Sequence, residues 1–160
     1  MIRQDFADFP SRKRNLALYK VHFTSTQLTN TLDQYFFHLN GFLEDNPNEL
    51  EGWQELALVY HETGNIQKAA YCYEELMMLN PRNDHYFVRL GELLYSLGGA
   101  QNLRNAKDYF CYVVARDDKN YRALWCLNRV CRSLLTEHET SDKLKSLFDV
   151  AVRFYTGFHH

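Results

Sequence analysis

The sequence predicts an all-α solenoid of about four antiparallel helix pairs, and three observations support this fold class. Short polar turns recur around Pro10, Pro47, Pro81 and Asp118, at spacings of 34 to 37 residues. Between these turns the apolar residues follow a helical period and not the alternation of a strand. Glycine (7) and proline (3) are scarce in the 160 residues, which favours long helices over β-structure or disorder.

The first predicted helix pair covers residues 11–21 and 26–45, and its apolar pattern is sparse. The turn that precedes it is built around Pro10, where proline fixes φ and neighbouring polar side chains bond their own backbone. The candidate core residues are Leu16 and Tyr19, then Tyr35, Leu39 and Phe42. Weak patterns of this kind are typical of a terminal unit in a stack of repeats.

The second predicted pair covers residues 49–63 and 66–80 and has the strongest pattern. In both helices the large apolar residues recur at i, i+3, i+4 and i+7, which places them on one face. Gly64 is expected to end the first helix, because glycine adopts left-handed geometry without steric cost. The core candidates are Trp53, Leu56, Ala57 and Tyr60, then Ala69, Ala70, Tyr73, Leu76 and Met77.

The third and fourth predicted pairs cover residues 84–97 with 103–116, and 121–135 with 141–157. The sequence GGAQNL between Gly98 and Leu103 is expected to enlarge the turn inside the third pair. The fourth pair has Asn128 where a small residue is expected. The core candidates are Phe87, Leu90, Gly91 and Leu94; Ala106, Phe110 and Val113; Leu124, Leu127 and Cys131; and Leu144, Leu147, Phe148 and Ala151.

The segment from Leu50 to Asn83 has the residue order of a tetratricopeptide (TPR) repeat. Large apolar residues come first, small residues stand where two helices touch, and a proline closes the unit. We therefore predict one TPR-like domain over residues 1–160, with repeats at about 11–47, 50–83, 84–120 and 121–157. The defining residues are Trp53, Leu56, Ala57, Tyr60, Gly64, Ala69, Tyr73 and Pro81.

Composition and charge favour a soluble chain in a reducing compartment. The formal charge of −2 exerts no overall attraction on nucleic acid or anionic lipid. No segment approaches the roughly 18 to 20 apolar residues that span a bilayer, and the first residues contain acidic side chains and a proline where a secretory signal would be apolar. Four cysteines lie in predicted helices without CxxC spacing, so we interpret them as buried thiols: Cys72, Cys111, Cys126 and Cys131.

One string is more specific than the repeat pattern. IQKAAYCYEELMMLNP, from Ile66 to Pro81, together with the W-x-E-L-A segment that begins at Trp53, closely resembles the second subunit of the ER membrane protein complex. Further similarity lies in SRKRNLAL, GGAQNLRNAKDYF and NYRAL, so the resemblance runs from about Ser11 to about Leu135. The tail after Leu135 matches poorly.

The resemblance implies a cytosolic, non-catalytic TPR scaffold without cofactors. In that family the subunit organises the cytosolic side of a membrane-protein insertase and contacts neighbouring protein subunits. It implies peripheral association with the endoplasmic reticulum membrane through those partners, with no membrane span and no nucleic acid. Family members are longer, so we expect this chain to correspond to their C-terminal part; a fragment, an incomplete gene model and a divergent short form are the alternatives.

The first helix of each pair is expected to line the concave side of a helix-pair stack, where partners bind. Residues of these helices that lie off the packing face are therefore candidate contacts, and their charge changes from acidic to basic along the stack. The candidates are Glu51, Gln54, Leu58, His61 and Glu62; His85, Val88, Glu92 and Tyr95; and Arg122, Trp125, Arg129 and Arg132.

The row Arg122, Arg129 and Arg132, with Trp125 beside it, suggests a second function: a general TPR adaptor that binds an acidic peptide tail. Arginine forms bidentate charge-assisted bonds with carboxylates, and Arg and Trp are enriched among interface hot spots. The alternative is a solvated helix face with one aromatic ring packed on a neighbour. The Lys and Asn pattern of chaperone-tail receptors is not apparent.

Enzyme, metal and RNA functions have little support in the sequence. It contains no P-loop, GxGxxG, GxSxG or HExxH motif, and its seven histidines are scattered. Cys126 and Cys131 could place two thiols on nearby faces, but no further ligands accompany them. Aromatic residues interleaved with basic ones could bind RNA, yet no long basic stripe is present. We predict no catalytic residues and no metal site.

Overall fold

The computed structural model describes residues 29–136 and 142–156, and within these ranges the chain forms seven α-helices. From Thr29 onward the predicted order of helices is confirmed, and α4 begins and ends where the sequence pattern placed it. The helices are α1 (Thr29–Asp45), α2 (Leu50–Glu62), α3 (Ile66–Leu79), α4 (Asp84–Leu97), α5 (Ala100–Arg116), α6 (Tyr121–Thr136) and α7 (Asp142–Thr156).

Some predictions lie outside the described residues. They are the first helix of the first pair at 11–21 with Leu16 and Tyr19, the start of the next helix before Thr29, and the residues at 141 and 157 that bound the last predicted helix. Nothing is described of the Leu144 side chain.

The chain divides into two compact units, Met1–Gly52 and Trp53–His160, with the boundary inside α2. In the first unit the side chains of Tyr35, Leu39 and Leu43 are buried along one face of α1. Gly52, at the start of α2, lies against this face, because a Cβ atom built on it would come within 2.8 Å of Leu43 Cδ2. A larger residue at this position would therefore require the Leu43 side chain to shift.

In the second unit each helix from α3 to α7 packs on the next along the chain, and α4 also contacts α6. This is the neighbour-to-neighbour packing of a TPR-like α-solenoid. The predicted small and apolar positions form the core of this unit, since their side chains are nearly or fully buried. They include Leu56, Ala57, Ala69, Leu76, Leu90, Ala106, Phe110, Val113, Leu124, Leu127, Cys131 and Ala151.

In the third pair α4 and α5 approach each other closely at Gly91 on α4 and Phe110 on α5. A Cβ atom built on Gly91 would come within 2.6 Å of Phe110 Cζ, and the Phe110 side chain is fully buried. Real Cβ atoms do not approach a ring so closely, so only glycine leaves room for Phe110 in this position. The small residue that the repeat pattern requires at this helix contact therefore has a steric function.

The turns are formed by the residue types that the sequence indicated. Gly64 follows α2 with φ of +76°, as predicted. Asn side chains cap two helix starts: Asn83 Oδ1 accepts a hydrogen bond from the backbone N–H of His85, and Asn120 Oδ1 accepts one from that of Ala123. These bonds satisfy N–H groups that have no partner within the helix.

The prediction of an enlarged turn inside the third pair is wrong, because the turn is shorter than expected. The turn consists of Gly98 and Gly99, both at positive φ, and α5 begins at Ala100, three residues before the predicted start. The extra residues extend the helix because the Asn102 side chain donates to the Gly98 carbonyl at 2.9 Å and the Leu103 N–H donates to that of Gly99. The two glycines adopt geometry that other residues rarely accept.

Candidate functional site

Six of the predicted contact residues lie around one open cavity of about 640 Å³ in the second unit. The cavity is bordered mainly by α4 and α6, the first helices of the third and fourth pairs, which contact each other directly. The first-helix spacing thus selected side chains that do share a surface. The six residues are His61, Glu92, Tyr95, Arg122, Trp125 and Arg129.

A charged cluster centred on Glu92 forms part of the cavity wall. Arg122 on α6 donates from Nε and Nη2 to the two carboxylate oxygens of Glu92 on α4, at 2.5 and 2.8 Å. Arg89, one turn earlier on α4, donates from Nη1 to Glu92 Oε2 at 3.0 Å. Arg89 Nε also lies 3.5 Å from the Tyr73 hydroxyl on α3. The cluster therefore connects three helices of the unit.

These contacts fix the ionisation of the cluster. Partial burial opposes the charge of Glu92, but the hydrogen bonds and charges of Arg122 and Arg89 outweigh it and lower the pKa of the carboxyl group. The hydrogen bond to Glu92 raises the pKa of Arg122. For Arg89, burial is outweighed by Tyr73 and Glu92, so its pKa also rises. At neutral pH all three groups are charged, and both arginines have a carboxylate partner.

Arg129 has a different environment, because its neighbours among the described side chains are aromatic rings and not carboxylates. Its guanidinium carbon lies 4.8 Å from the ring centroid of Tyr95 on α4 and 4.6 Å from that of Trp125 on α6. The Tyr95 hydroxyl is 3.4 Å from Ser133 Oγ, and this hydrogen bond, followed by Arg129, lowers the pKa of Tyr95. Two rings thus hold Arg129 in place through cation–π contacts.

Arg132 lies one turn after Arg129 and borders a second, adjacent cavity of about 470 Å³. Tyr95, Trp125, Arg129 and Ser133 line both cavities, so the two form a continuous surface. We call Tyr95, Trp125, Arg129, Arg132 and Ser133 the arginine–aromatic surface.

The remaining predicted contacts do not join this surface. Gln54 on α2 donates from Nε2 to the Tyr86 hydroxyl on α4 at 2.6 Å, so its amide holds two first helices together. Glu62 and Leu58 are exposed on α2, and Glu51 belongs to the first unit. His85 is exposed at the start of α4, where partial burial of its ring and then the charge of Arg89 lower its pKa.

Two parts of the sequence interpretation need correction. Val88 was expected on the binding face but is 2% exposed, because α4 packs against α3, α5 and α6 and is buried over a wide face. The expected change from acidic to basic is interrupted at Glu92, since this carboxylate lies between Arg89 and Arg122. The acidic group of α4 is therefore paired with a basic group of α6, although acidic residues are more frequent in the earlier first helices and basic residues in the last one.

Sequence reasoning also missed two residues of the site. Arg89 stands three positions before Glu92, a spacing at which opposite charges on a helix meet, and this signal was available. Ser133 stands four positions after Arg129 and eight after Trp125, on the same face of α6. Its contact with Tyr95 depends on how closely α4 and α6 approach, which spacing alone does not give.

Three cysteines are buried thiols, as predicted: Cys72, Cys126 and Cys131. Burial is the main cause that raises their pKa values, to about 12 for Cys72 and about 11 for the other two. Cys111 is half-buried, and burial raises its pKa as well. Across the described part of the chain, no three His, Cys, Asp or Glu side chains are grouped so that they could hold a metal ion.

In the described ranges, no helix is both long enough and apolar enough to cross a membrane.

The chain is similar to the second subunit of the ER membrane protein complex. It is 30% identical over 145 residues to ER membrane protein complex subunit 2-A of Xenopus laevis, an alignment that covers 91% of this chain and 46% of that protein. It is 30% identical over 107 residues to TPR repeat protein oca3 of Schizosaccharomyces pombe, which covers 66% of this chain and 38% of that protein. The chain thus spans less than half the length of these relatives. No family model matches it.

Solved structures with a similar fold include a tetratricopeptide repeat protein, and this similarity shows the fold alone. A crystal structure of MamA superimposes with a TM-score of 0.60 at 19% identity, over 81% of this chain and 71% of that one. A tetratricopeptide repeat protein from Parabacteroides merdae superimposes with a TM-score of 0.57 at 19% identity, over 92% of this chain and 61% of that one. The predicted TPR-like α-solenoid is therefore confirmed.

Proposed function

We propose that this chain is a non-catalytic TPR scaffold that acts as a subunit of an ER membrane protein complex, where it organises neighbouring subunits on the cytosolic face and supports insertion of transmembrane proteins. The observation that carries this proposal is the 30% identity to subunit 2-A of Xenopus laevis over 145 residues, nearly the whole chain. This aligned length exceeds the span from Ser11 to Leu135 on which the sequence resemblance was based.

The structure supports a scaffold because apolar and small side chains pack its helices together, while polar side chains form hydrogen bonds across its exposed face. The helix contacts of the second unit are formed by apolar and small residues, among them Ala69, Ala106 and Ala151, which are fully buried. Hydrogen bonds between first helices, such as those of Gln54 to Tyr86 and of Arg122 to Glu92, hold the exposed face in one arrangement. A surface fixed in this way binds a partner without the entropic cost of ordering it first.

Co-purification tests this proposal most simply. The tagged chain is produced in its own cells, membranes are solubilised in a mild detergent, and proteins that accompany the tag are identified by mass spectrometry. We expect other subunits of the ER membrane protein complex to be recovered. The Gly91→Ala variant, whose core is disturbed at Phe110, serves as a control that should recover less of them. Recovery of the wild-type chain without any such subunit would contradict the proposal.

The cytosolic position has a separate test. Intact microsomes are treated with a protease, with and without detergent, and a luminal protein of the same vesicles is followed as a control. We expect the chain to be digested when the vesicles are closed, while the luminal protein is digested only after detergent is added. Protection of the chain in closed vesicles would contradict a position on the cytosolic face.

The insertion role requires a functional measurement. Depletion of the chain should lower the inserted fraction of a reporter with one transmembrane helix, and it should leave a secreted reporter of similar size unchanged. Restoring the wild-type chain should restore insertion. Equal insertion with and without the chain would contradict this role, even if the chain co-purifies with the complex.

A further inference from the structure

The arginine–aromatic surface carries cationic groups that no residue of the described chain neutralises. Among the side chains that the structure describes, no carboxylate oxygen lies within 4 Å of Arg129 or Arg132, whereas Arg89 and Arg122 share Glu92. The residues that line the two cavities include these four arginines and one carboxylate, that of Glu92. The excess positive charge therefore lies on Arg129 and Arg132, and it is complementary to an anionic ligand.

Arg129 is oriented for hydrogen bonding by its two aromatic neighbours. The rings of Tyr95 and Trp125 lie 4.8 and 4.6 Å from the guanidinium carbon, and they restrict the position of the group. Cation–π contacts are made over ring faces, so the two rings leave the N–H donors of the guanidinium group unused apart from the hydrogen bond of Arg129 to the Tyr95 hydroxyl. These donors form a rigid fork that matches a carboxylate. A ligand carboxylate can therefore bind Arg129 without first ordering its side chain.

The same surface also offers an apolar contact. The Trp125 side chain is 45% exposed although it lies beside Arg129 and borders both cavities. Arg132, exposed and three residues after Arg129, also lines the second cavity. Trp and Arg side chains grouped in this way are enriched where proteins bind other proteins. A ligand that combines carboxylates with a large apolar side chain fits both parts of the surface.

We propose that the arginine–aromatic surface binds an acidic segment of a protein partner, with carboxylates on Arg129 and Arg132 and a neighbouring apolar side chain on Trp125. This inference rests on the proposed function in one respect, namely that the chain is a protein-binding scaffold. It adds the chemistry of the segment that is bound and the residues that bind it. Arg122 is not assigned to the ligand because Glu92 already accepts both of its hydrogen bonds.

The test uses the purified chain and a short fluorescein-labelled peptide in which glutamates alternate with leucines. The control peptide has glutamine in place of every glutamate, so it keeps the length and the apolar side chains. Binding is measured by fluorescence anisotropy at low and at physiological salt. The protein variants are Arg129→Gln and Arg132→Gln, with Arg82→Gln as a matched control. Arg82 is exposed in the turn before α4 and borders neither cavity.

We expect saturable binding of the glutamate peptide that weakens with salt, and weaker binding or none of the glutamine peptide. Each variant on the surface should weaken binding at least about tenfold, the loss of one charge-assisted hydrogen-bonded contact, while Arg82→Gln leaves it unchanged. Circular dichroism checks that the variants are folded. Because Arg132 is exposed, its variant remains informative even if Arg129→Gln does not fold.

Three results would overturn the proposal. One is no saturable binding of the glutamate peptide up to about 1 mM. Another is an equal loss of affinity in Arg82→Gln and Arg132→Gln, which would indicate attraction to net charge alone. The third is displacement of the peptide by a short single-stranded RNA at equal charge concentration, which would indicate a general polyanion surface.

Failure of this proposal can be distinguished from failure of the proposed function. A chain that co-purifies with subunits of the membrane complex but does not bind the peptide contradicts only the site. A chain that binds the peptide through Arg129 and Arg132 but recovers no such subunits contradicts only the membership in the complex.

Discussion

Arg122 on α6 holds Glu92 on α4 through two parallel hydrogen bonds, and the second of them, from Nη2 to Oε2, is 2.8 Å long. The two residues are 30 positions apart and belong to the first helices of successive pairs. Glu92 also accepts a hydrogen bond from Arg89 on its own helix. One carboxylate thus links neighbouring repeats along the face that carries the candidate site.

Replacing this carboxylate should lower stability at neutral pH. We expect Glu92→Gln to reduce the free energy of unfolding by about 1 kcal/mol or less, since Arg122 is half exposed and solvent screens the pair. Urea unfolding measures the change. Glu62→Gln is the matched control, because Glu62 is exposed on α2 outside the cluster. A difference of zero between the Glu92 variant and the wild type would contradict a stabilising role for the pair.

The same pair predicts a pH dependence of definite sign. The folded-state pKa of Glu92 is lowered, so its contribution to stability is present above its unfolded pKa of about 4.3 and is lost as pH falls through the lower folded value. The difference in Tm between wild type and Glu92→Gln should therefore be constant from about pH 7 to pH 5 and shrink below about pH 4. A difference that grows on acidification would contradict this assignment.

Gly91 should tolerate no side chain, because a Cβ atom there would lie 2.6 Å from Phe110 Cζ. We expect Gly91→Ala to cost about 1 to 3 kcal/mol of stability through overpacking. Gly41→Ala is a control with the opposite sign: nothing lies within 4 Å of its Cβ, and alanine in a helix is favoured by about 0.5 to 1 kcal/mol. Thermal unfolding compares the two.

A second substitution tests the same contact from the other side. Phe110→Leu in the Gly91→Ala background should recover part of the lost stability, because the smaller side chain relieves the clash. Additive losses in the double variant would contradict direct contact between the two residues.

Ala69 tests the helix register of the second pair. Its side chain is fully buried on α3, so Ala69→Leu should lower the free energy of unfolding by about 1 to 3 kcal/mol. The exposed neighbour Gln67 provides the control, and Gln67→Leu should change stability little. An undiminished melting temperature in Ala69→Leu would mean that this face of α3 does not pack as described.

The cysteines should differ in reactivity in the order of their burial. Cys72 and Cys131 are fully buried, and burial raises their pKa values to about 12 and about 11, so few thiolates form at pH 8. We expect Cys111, which is half-buried, to react first with an alkylating reagent in the native protein. Mass spectrometry of the labelled peptides gives the order. Equal labelling of Cys131 and Cys111 before unfolding would contradict it.

Most of the fold could be predicted from sequence because packing in this chain follows helical spacing. Small residues at helix contacts, such as Ala69, Gly91 and Ala106, were identified by their repeat position and are buried. The start of α5 was not predicted, because whether residues after two glycines continue a turn or begin a helix depends on the local bond from Asn102 to Gly98.

The candidate site was predictable only in part. Helical spacing indicated that Arg122, Trp125 and Arg129 share one face, and all three line the same cavity. Helical spacing could not indicate that Glu92 pairs with Arg122, or that Arg129 contacts the rings of Tyr95 and Trp125. Those contacts depend on the distance between α4 and α6, which are brought together by the buried residues of both helices.

Membership of this chain in a larger membrane complex can be tested through the size of the particle that contains it. A detergent extract is separated by size-exclusion chromatography, and the chain and the other subunits of the ER membrane protein complex are quantified across the fractions. We expect them to elute together at a constant ratio, far above the 19.0 kDa of the free chain. Elution of the chain at its own size, apart from those subunits, would contradict it.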